Sequence, residues 1–436
     1  MEYPITPHLQ LIARLAQHKN IKSKIVLLVL DGLGGAATGP GGKTELETAV
    51  TPHLDALAAG GALGLHDPIG PGFTPGSGLA HLALFGYDPL VYEMGRGVLA
   101  LFGARCFEPD VMQPGEVSAR LNFCTVEENE NGLIVTDRRA GRIQDGPADE
   151  LVALLREKIR VPGVAVDFWH SKEHRAVMHL KGAGWSGALI DTDPQAVGVA
   201  PLAPAPVAGT ENDPAARQTA EVVAEILRQA RAVLRDRHPA NFILTRGFDT
   251  YKKIPSLAEL TGLRCAAIAA YPDYRGIARL VGMDVIATAP DIANRALAPG
   301  ERQAIAVADE IDTLAQVWND YDFFFVHVKK TDSYGEDGNF AAKVRVIEEV
   351  DALLPRISAL GPDVLCVTGD HSTPAAMKSH SFHPVPTLIS ARLVIPDEAQ
   401  TFGERACQRG GLGRVRGVDL LPLLLAYAGR LAKFGA

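Results

Sequence analysis

Six short apolar runs punctuate the chain, each closed by turn-forming residues: Lys24–Leu30 (KIVLLVL), Asn241–Thr245 (NFILT), Met283–Ala287 (MDVIA), Phe323–Val328 (FFFVHV), Asp363–Thr368 (DVLCVT) and Val385–Ile389 (VPTLI). Their apolar character is continuous, not alternating, as expected of strands covered on both faces. Elsewhere the apolar positions recur at helical spacing. Val222, Val223, Ile226, Leu227, Ala230, Val233 and Leu234 form one stripe, and Val346, Ile347, Val350, Leu353, Leu354 and Ile357 another. Both read as faces packed on a core. Buried strands separated by helices predict an α/β fold with a mostly parallel sheet flanked by helices. The segment Val197–Ala216 is rich in Pro, Ala and Gly and reads as a loop. The middle of the chain, residues 104–270, carries scattered arginines and short elements bounded by glycine. It is expected to form a second domain inserted into the first, leaving 1–103 and 271–436 as a discontinuous outer domain.

Composition narrows the function classes. Of the 436 residues 47% are apolar, enough for a full core, which excludes a disordered chain. The 43 basic and 51 acidic residues give a net charge of -8, and no long basic run interrupts that balance. A nucleic-acid partner is therefore not expected, and an anionic substrate must be held by a local cluster of cations. The five cysteines are odd in number and form no CxxC pair, which suits buried thiols in a reducing compartment. No run approaches the ~20 apolar residues of a membrane span, and the first twenty residues lack the apolar core of a signal peptide. A cytoplasmic protein is expected.

Three of the apolar runs end in candidate ligands. KIVLLVL runs into Asp31, FFFVHV into Lys329, Lys330, Thr331 and Asp332, and DVLCVT into Gly369, Asp370 and His371. Ligands of open α/β sheets sit beyond the carboxyl ends of the strands. Any one of these aspartates alone reads as a helix N-cap. Three together crowd negative charge that a cation must neutralise. With Glu336, His380 and His383 nearby, the mixture of Asp, Glu and His suits Mn²⁺ or Zn²⁺, with room for two ions. A second feature is TPGSGLAHL (residues 74–82), which sets Ser77 between glycines at a loop-to-helix junction. That is the place of an N-cap serine, and also one where a hydroxyl faces the positive end of a helix. No GxSxG elbow is present, so metal coordination is the expected route to an activated Ser77. A third is the arginine set Arg120, Arg138, Arg139, Arg142, Arg175 and Arg246, three of them within DRRAGR. A charge run is usually a solvated face, but guanidinium groups also match phosphate and carboxylate in bidentate fashion.

Read in order, the stretches VLDGLGG (29–35), TPHLDALAAGGALG (51–64), PGSGLAHLALFGYDP (75–89), ARLNFCTV (119–126), DRRAGRI (137–143), HRAV (174–177), DTDP (191–194), GIARLVGMDV (276–285), TGDHSTP (368–374), HPVP (383–386) and the terminal KFGA resemble the archaeal-type cofactor-independent phosphoglycerate mutases of the alkaline phosphatase superfamily. The resemblance spans essentially the whole chain. It implies an alkaline-phosphatase-like domain with two divalent metals, Mn²⁺ preferred and Zn²⁺, Co²⁺ or Mg²⁺ as alternatives. It further implies an inserted α+β cap and interconversion of 2- and 3-phosphoglycerate through a phosphoserine, without 2,3-bisphosphoglycerate. By position Ser77 falls on the nucleophile. Asp31, Asp332, Asp370, His371 and His380 fall on metal ligands. Arg120, Arg138, Arg139, Arg142 and Arg175 fall on substrate-holding positions of the cap, where Arg246 is also assigned.

Three positions depart from the pattern. Glu336 stands where a metal-binding His is expected, and can still ligate through oxygen; Gly335, between it and Asp332, would permit a tight turn. Gly78 replaces an acidic residue after the serine. Arg275 replaces a Lys before GIARL and is expected at the substrate. The expected partner is a small phosphorylated carboxylic acid, with no membrane, and a homo-oligomer as a further expectation. A metal-dependent phosphohydrolase or other phosphomutase of the same fold remains an alternative, as does an impaired paralogue that binds phosphorylated ligands. General acid and base stay unassigned among His81, Asp88 and His383.

Overall fold

The computed structural model describes residues 2–17, 22–130, 132–297 and 301–435. Ala436 of the terminal KFGA lies outside them. The chain divides into two compact units. The larger comprises Pro4–Glu93, Pro255–Asp291 and Ala304–Ala436 and is built on an eight-stranded sheet. Its spatial order is Gly413–Arg416, Ala62–Asp67, Val385–Ala391, Val364–Thr368, Ile25–Leu30, Phe323–Val328, Cys265–Ala269, Asp284–Val285. Only Val385–Ala391 runs against the rest. The three central strands are buried along their whole length, which is why their sequences read as unbroken apolar runs. Val346, Ile347, Val350, Leu354 and Ile357 of the helix Phe340–Ser358 cover one face together with Leu28, Leu30, Phe324 and Val367.

The smaller unit comprises Met1–Tyr3, Met94–Ile254 and Ile292–Gln303. Its five-stranded sheet is antiparallel, with Val117–Asn129 paired to Arg175–Leu180 and Gly132–Asp137 on one side and to Phe242–Thr250 on the other. The helices Asp145–Lys158 and Pro214–Leu234 complete a separate core. Two sequence expectations shift here. The NFILT run, expected with the parallel strands, continues to Thr250 and belongs to this antiparallel sheet. The insertion, expected over 104–270, runs instead from Met94 to Ile254. Arg96–Ala104 packs on the antiparallel sheet, and Cys265–Ala269 is hydrogen-bonded in parallel to Phe323–Val328. Among the described residues no helix is long and apolar enough to cross a membrane.

Candidate active site

Asp31, Lys329 and Asp370 sit just past three adjacent strands, Ile25–Leu30, Phe323–Val328 and Val364–Thr368. The chain then turns into the helix Lys330–Glu336, which carries Asp332, and into the segment holding His371 and Thr373. Asp31, Asp332, Asp370 and His371 are fully or almost fully buried. Ser77 opens the helix Ser77–Leu84 but does not cap it. Gly76 is the N-cap residue, and the Ser77 hydroxyl lies 3.0 Å from Nε2 of His371.

Hydrogen bonding assigns the histidine tautomers. Thr373 Oγ1 lies 2.7 Å from Asp332 Oδ1 and 3.0 Å from His371 Nδ1. A carboxylate only accepts, so the single hydroxyl proton goes to Asp332 and His371 Nδ1 must donate to Thr373. Burial keeps this imidazole neutral. Its Nε2 therefore presents a lone pair, and that lone pair faces Asp31 Oδ1 at 3.3 Å and Asp370 Oδ2 at 3.2 Å. Asp31 Oδ1 has no hydrogen-bond partner among the described residues, and Asp370 Oδ2 otherwise meets only His81 Nδ1, at 3.2 Å. The convergence of two buried carboxylates and an imidazole lone pair makes a place where a cation would offset the gathered charge. The donor set of two carboxylates, an imidazole and the serine hydroxyl fits a divalent metal.

A second group is formed by Asp332, His371 and His380, and the ligand atoms within each group lie within 4.8 Å of one another. His380 repeats the same logic: Nδ1 meets the Pro75 carbonyl at 2.9 Å, leaving Nε2 directed at Asp332 Oδ1, 3.6 Å away. The imidazole rings of His371 and His380 stack at 3.6 Å. Glu336 stands apart from both groups. Its side chain is 55% exposed, and its Oε1 is 3.9 Å from His380 Nε2. It follows Asp332 on one helical face, not across a turn. Gly335 is needed for close packing, since a β-carbon there would run into the Thr373 carbonyl oxygen.

Lys329 lies between the groups. Its Nζ donates to Asp31 Oδ2 at 3.0 Å, Asp332 Oδ2 at 2.5 Å and Tyr274 Oη at 2.9 Å. Burial would lift the Asp31 pKa, but Lys329 beside it holds that carboxyl well below the usual range. Beneath the site, His81 Nδ1 contacts the Ser77 carbonyl at 2.8 Å and Asp370 Oδ2 at 3.2 Å, and His327 Nε2 lies 3.3 Å from Asp31 Oδ2. The fully buried Lys343 donates to the carbonyls of Gly32, Gly34 and Thr373 at 2.8–3.1 Å, tying together the segments that follow Asp31 and His371.

A family model described as the metalloenzyme superfamily matches residues 23–427. Relatives named "Probable 2,3-bisphosphoglycerate-independent phosphoglycerate mutase" from Thermotoga sp., Thermus thermophilus and Aquifex aeolicus are 47%, 48% and 47% identical, each over 95% of this chain and 96–97% of their own. The chain belongs to this mutase family. A Pyrococcus horikoshii protein of 30% identity superposes with a TM-score of 0.77 over 96% of this chain and all of its own. A cofactor-independent phosphoglycerate mutase from Thermoplasma acidophilum, 27% identical, gives 0.65 over 93% of this chain and all of its own. The fold is that of alkaline-phosphatase-superfamily mutases.

Within this mutase-family fold the smaller unit gathers its own cations. Arg120, on Val117–Asn129, faces Arg246 across the ladder, and Asn122 of the same strand faces Arg175. Burial and then the charges of Arg175, Arg139, Arg120 and Arg142 press His174 down to about 3. Arg138 is committed elsewhere: it forms a bidentate pair, 2.8 Å on each arm, with the buried Asp193. Arg246 Nε is 3.6 Å from the same carboxylate. Arg275 belongs to the larger unit, where it is buried and spans the Ala269 carbonyl (2.6 Å) and Asp291 (2.7 Å). Of the unassigned acid–base candidates, Asp88 accepts from the Leu90 amide and His383 lies against Ser381 and Phe382. Sequence reasoning missed Lys329, Tyr274, His327 and Thr373 as site residues. The one available signal was Lys329 at i−3 from Asp332, directly after a buried strand.

Proposed function

We propose that this chain interconverts 2- and 3-phosphoglycerate without 2,3-bisphosphoglycerate, with Ser77 as the transient phosphoryl acceptor. The reading is carried by the Ser77 hydroxyl 3.0 Å from a His371 nitrogen whose lone pair faces two buried carboxylate oxygens, of Asp31 and Asp370. Ser77 Oγ gives up its proton and attacks phosphorus as the bond to the substrate oxygen breaks, and a proton goes to that oxygen, which becomes the glycerate hydroxyl. After glycerate turns over, its other hydroxyl gives up its proton and attacks phosphorus, the bond to Ser77 breaks, and Ser77 Oγ regains a proton. Asp31, Asp370, His371 and Ser77 would hold one ion, and Asp332 and His380 a second, with Glu336 as its outermost ligand; the one lone pair of His371 serves the first ion only. Mn²⁺ is the preferred occupant of this oxygen-rich set. Bound there, divalent ions supply positive charge to the serine oxygen and the phosphoryl oxygens. Lys329 keeps Asp31 ionised and orients both Asp31 and Asp332. Arg120, Arg139, Arg142 and Arg175 recognise the substrate carboxylate, so that glycerate is retained between the two transfers. Five buried cysteines, none in a disulfide, accord with a cytoplasmic site of action.

Ser77→Ala should remove mutase activity while leaving the circular dichroism spectrum and metal content near wild type. Rapid quenching of the wild-type protein with 3-phosphoglycerate should leave phosphate on the Ser77 peptide. Substantial turnover by the Ala variant would overturn the covalent route. Glu336→Ala should lose the more weakly held of two ions by elemental analysis; two ions and full activity in that variant would remove Glu336 from the ligand set.

A further inference from the structure

The DRRAGR segment contains a backbone feature that substrate binding alone does not explain. Ala140, Gly141 and Arg142 are three consecutive residues in the left-handed region, at φ 47°, 62° and 54°. For a residue with a β-carbon that region costs roughly 1–2 kcal/mol, so Ala140 and Arg142 are held there by something else. The structure shows the holder. Asp137 Oδ1 accepts from the Arg139 amide at 2.8 Å, and Oδ2 accepts from the Gly141 amide at 2.6 Å. The base of the turn is fixed independently by the bidentate pair of Arg138 with buried Asp193. Arg139 and Arg142 end up exposed, and among the described residues no carboxylate pairs with either guanidinium. The segment thus divides its labour. Asp137 and Arg138 spend their side chains on the turn, while Arg139 and Arg142 are presented by it.

We propose that Asp137 is a positioning residue: its carboxylate clamps the left-handed turn that fixes Arg139 and Arg142 for the substrate carboxylate. The inference rests on the reading of those arginines as substrate groups. An Asn at 137 keeps one acceptor oxygen and the local shape but replaces the second acceptor with a donor, which faces the Gly141 N–H. An Ala keeps neither. Released from the clamp, Ala140 and Arg142 relax toward ordinary backbone angles and the two guanidinium groups lose a common orientation.

The test compares Asp137→Asn, Asp137→Ala and Arg139→Ala in the full-length, metal-loaded protein, with folding checked by circular dichroism. KM for 3-phosphoglycerate is measured together with the inorganic phosphate released per mutase turnover, which reports glycerate lost between transfers. Asp137→Ala should raise KM ~10-fold and increase phosphate release, with Asp137→Asn intermediate and Arg139→Ala at least as severe. A merely structural Asp137 would lower the melting temperature without moving the phosphate partition. If Arg139→Ala shifts both quantities and neither folded Asp137 variant does, the positioning role is overturned while the arginine reading stands. If Arg139→Ala shifts neither, both fall.

Discussion

Two cations, Lys343 fully buried and Lys329 half-buried, and one buried imidazole show how single residues bear on this site. The Lys343 ammonium has each of its protons matched by a main-chain carbonyl, and Lys329 is matched by two carboxylates and a phenol. A buried charge so provided for acts as a fixed strut, because moving either end leaves a charge unpaired in a low dielectric. His174 is the opposite case, an imidazole that burial and neighbouring guanidinium groups keep from taking a proton until about pH 3. Unfolded, it titrates near pH 6.5. Below that value the unfolded state binds a proton that the native state refuses, so stability falls as pH drops, by up to about 1.4 kcal/mol per pH unit from this group. Above it the group contributes no pH dependence. His174→Gln should therefore flatten the loss of melting temperature between pH 7 and pH 5 relative to wild type. Equal slopes in the two proteins would show that His174 is protonated at the same pH folded and unfolded.

Among the elements, the short helix Lys330–Glu336 is the one most closely fitted to its surroundings. It seats Asp332 against Thr373, and Gly335 lets the Thr373 main chain approach. Ala is normally the better helix residue by about 1 kcal/mol. Here the added methyl meets a carbonyl oxygen that cannot rotate away, and overpacking of that kind costs roughly 1–3 kcal/mol. Gly335→Ala should accordingly lower the melting temperature and weaken metal binding measured by calorimetry, the second through displacement of the Thr373 hydroxyl that orients His371. A variant more stable than wild type would refute the fit. The same helix marks where reading a sequence stops. The strands delivering Asp31, Asp332 and Asp370 were visible as apolar runs, because burial on both faces leaves no alternation. Ser77 was visible through its glycines. The reach of Lys329 to Asp31, of Arg138 to Asp193 and of Thr373 to Asp332 was not visible. Each joins residues tens to hundreds of positions apart through side-chain direction, which neither spacing nor composition encodes. The role of Gly335 failed for the same reason: its neighbour is remote in the chain, so a local turn was the only account the sequence offered.

At the scale of the molecule, the boundary that moved, from 104–270 to Met94–Ile254, changes what can be cut out. The smaller unit carries a core of its own, formed from residues 117–248. The Gly95 amide is bound by Asp249 at 2.7 Å, so the two ends of the segment are already joined. A fragment of residues 94–254 should fold alone, giving a cooperative thermal transition and a dispersed amide spectrum. A fragment of residues 104–270 should fare worse, having lost Arg96–Ala104 and gained an orphaned sheet strand. Comparable spectra from both would show that the boundary carries no folding information.

The eight-stranded sheet has a consequence for the order in which the protein is made. Its central strand Ile25–Leu30 is flanked by Phe323–Val328 and Val364–Thr368. At ribosomal rates of ~5–20 residues per second, ~15–60 s separate the emergence of the first strand from that of its nearer neighbour. For that interval an IVLLVL segment has none of its final neighbours in the sheet, while the intervening Met94–Ile254 unit is synthesised in full and is free to fold. Nascent chains should therefore depend on a holding chaperone that engages residues 25–30 and lets go only after position 328 has left the exit tunnel.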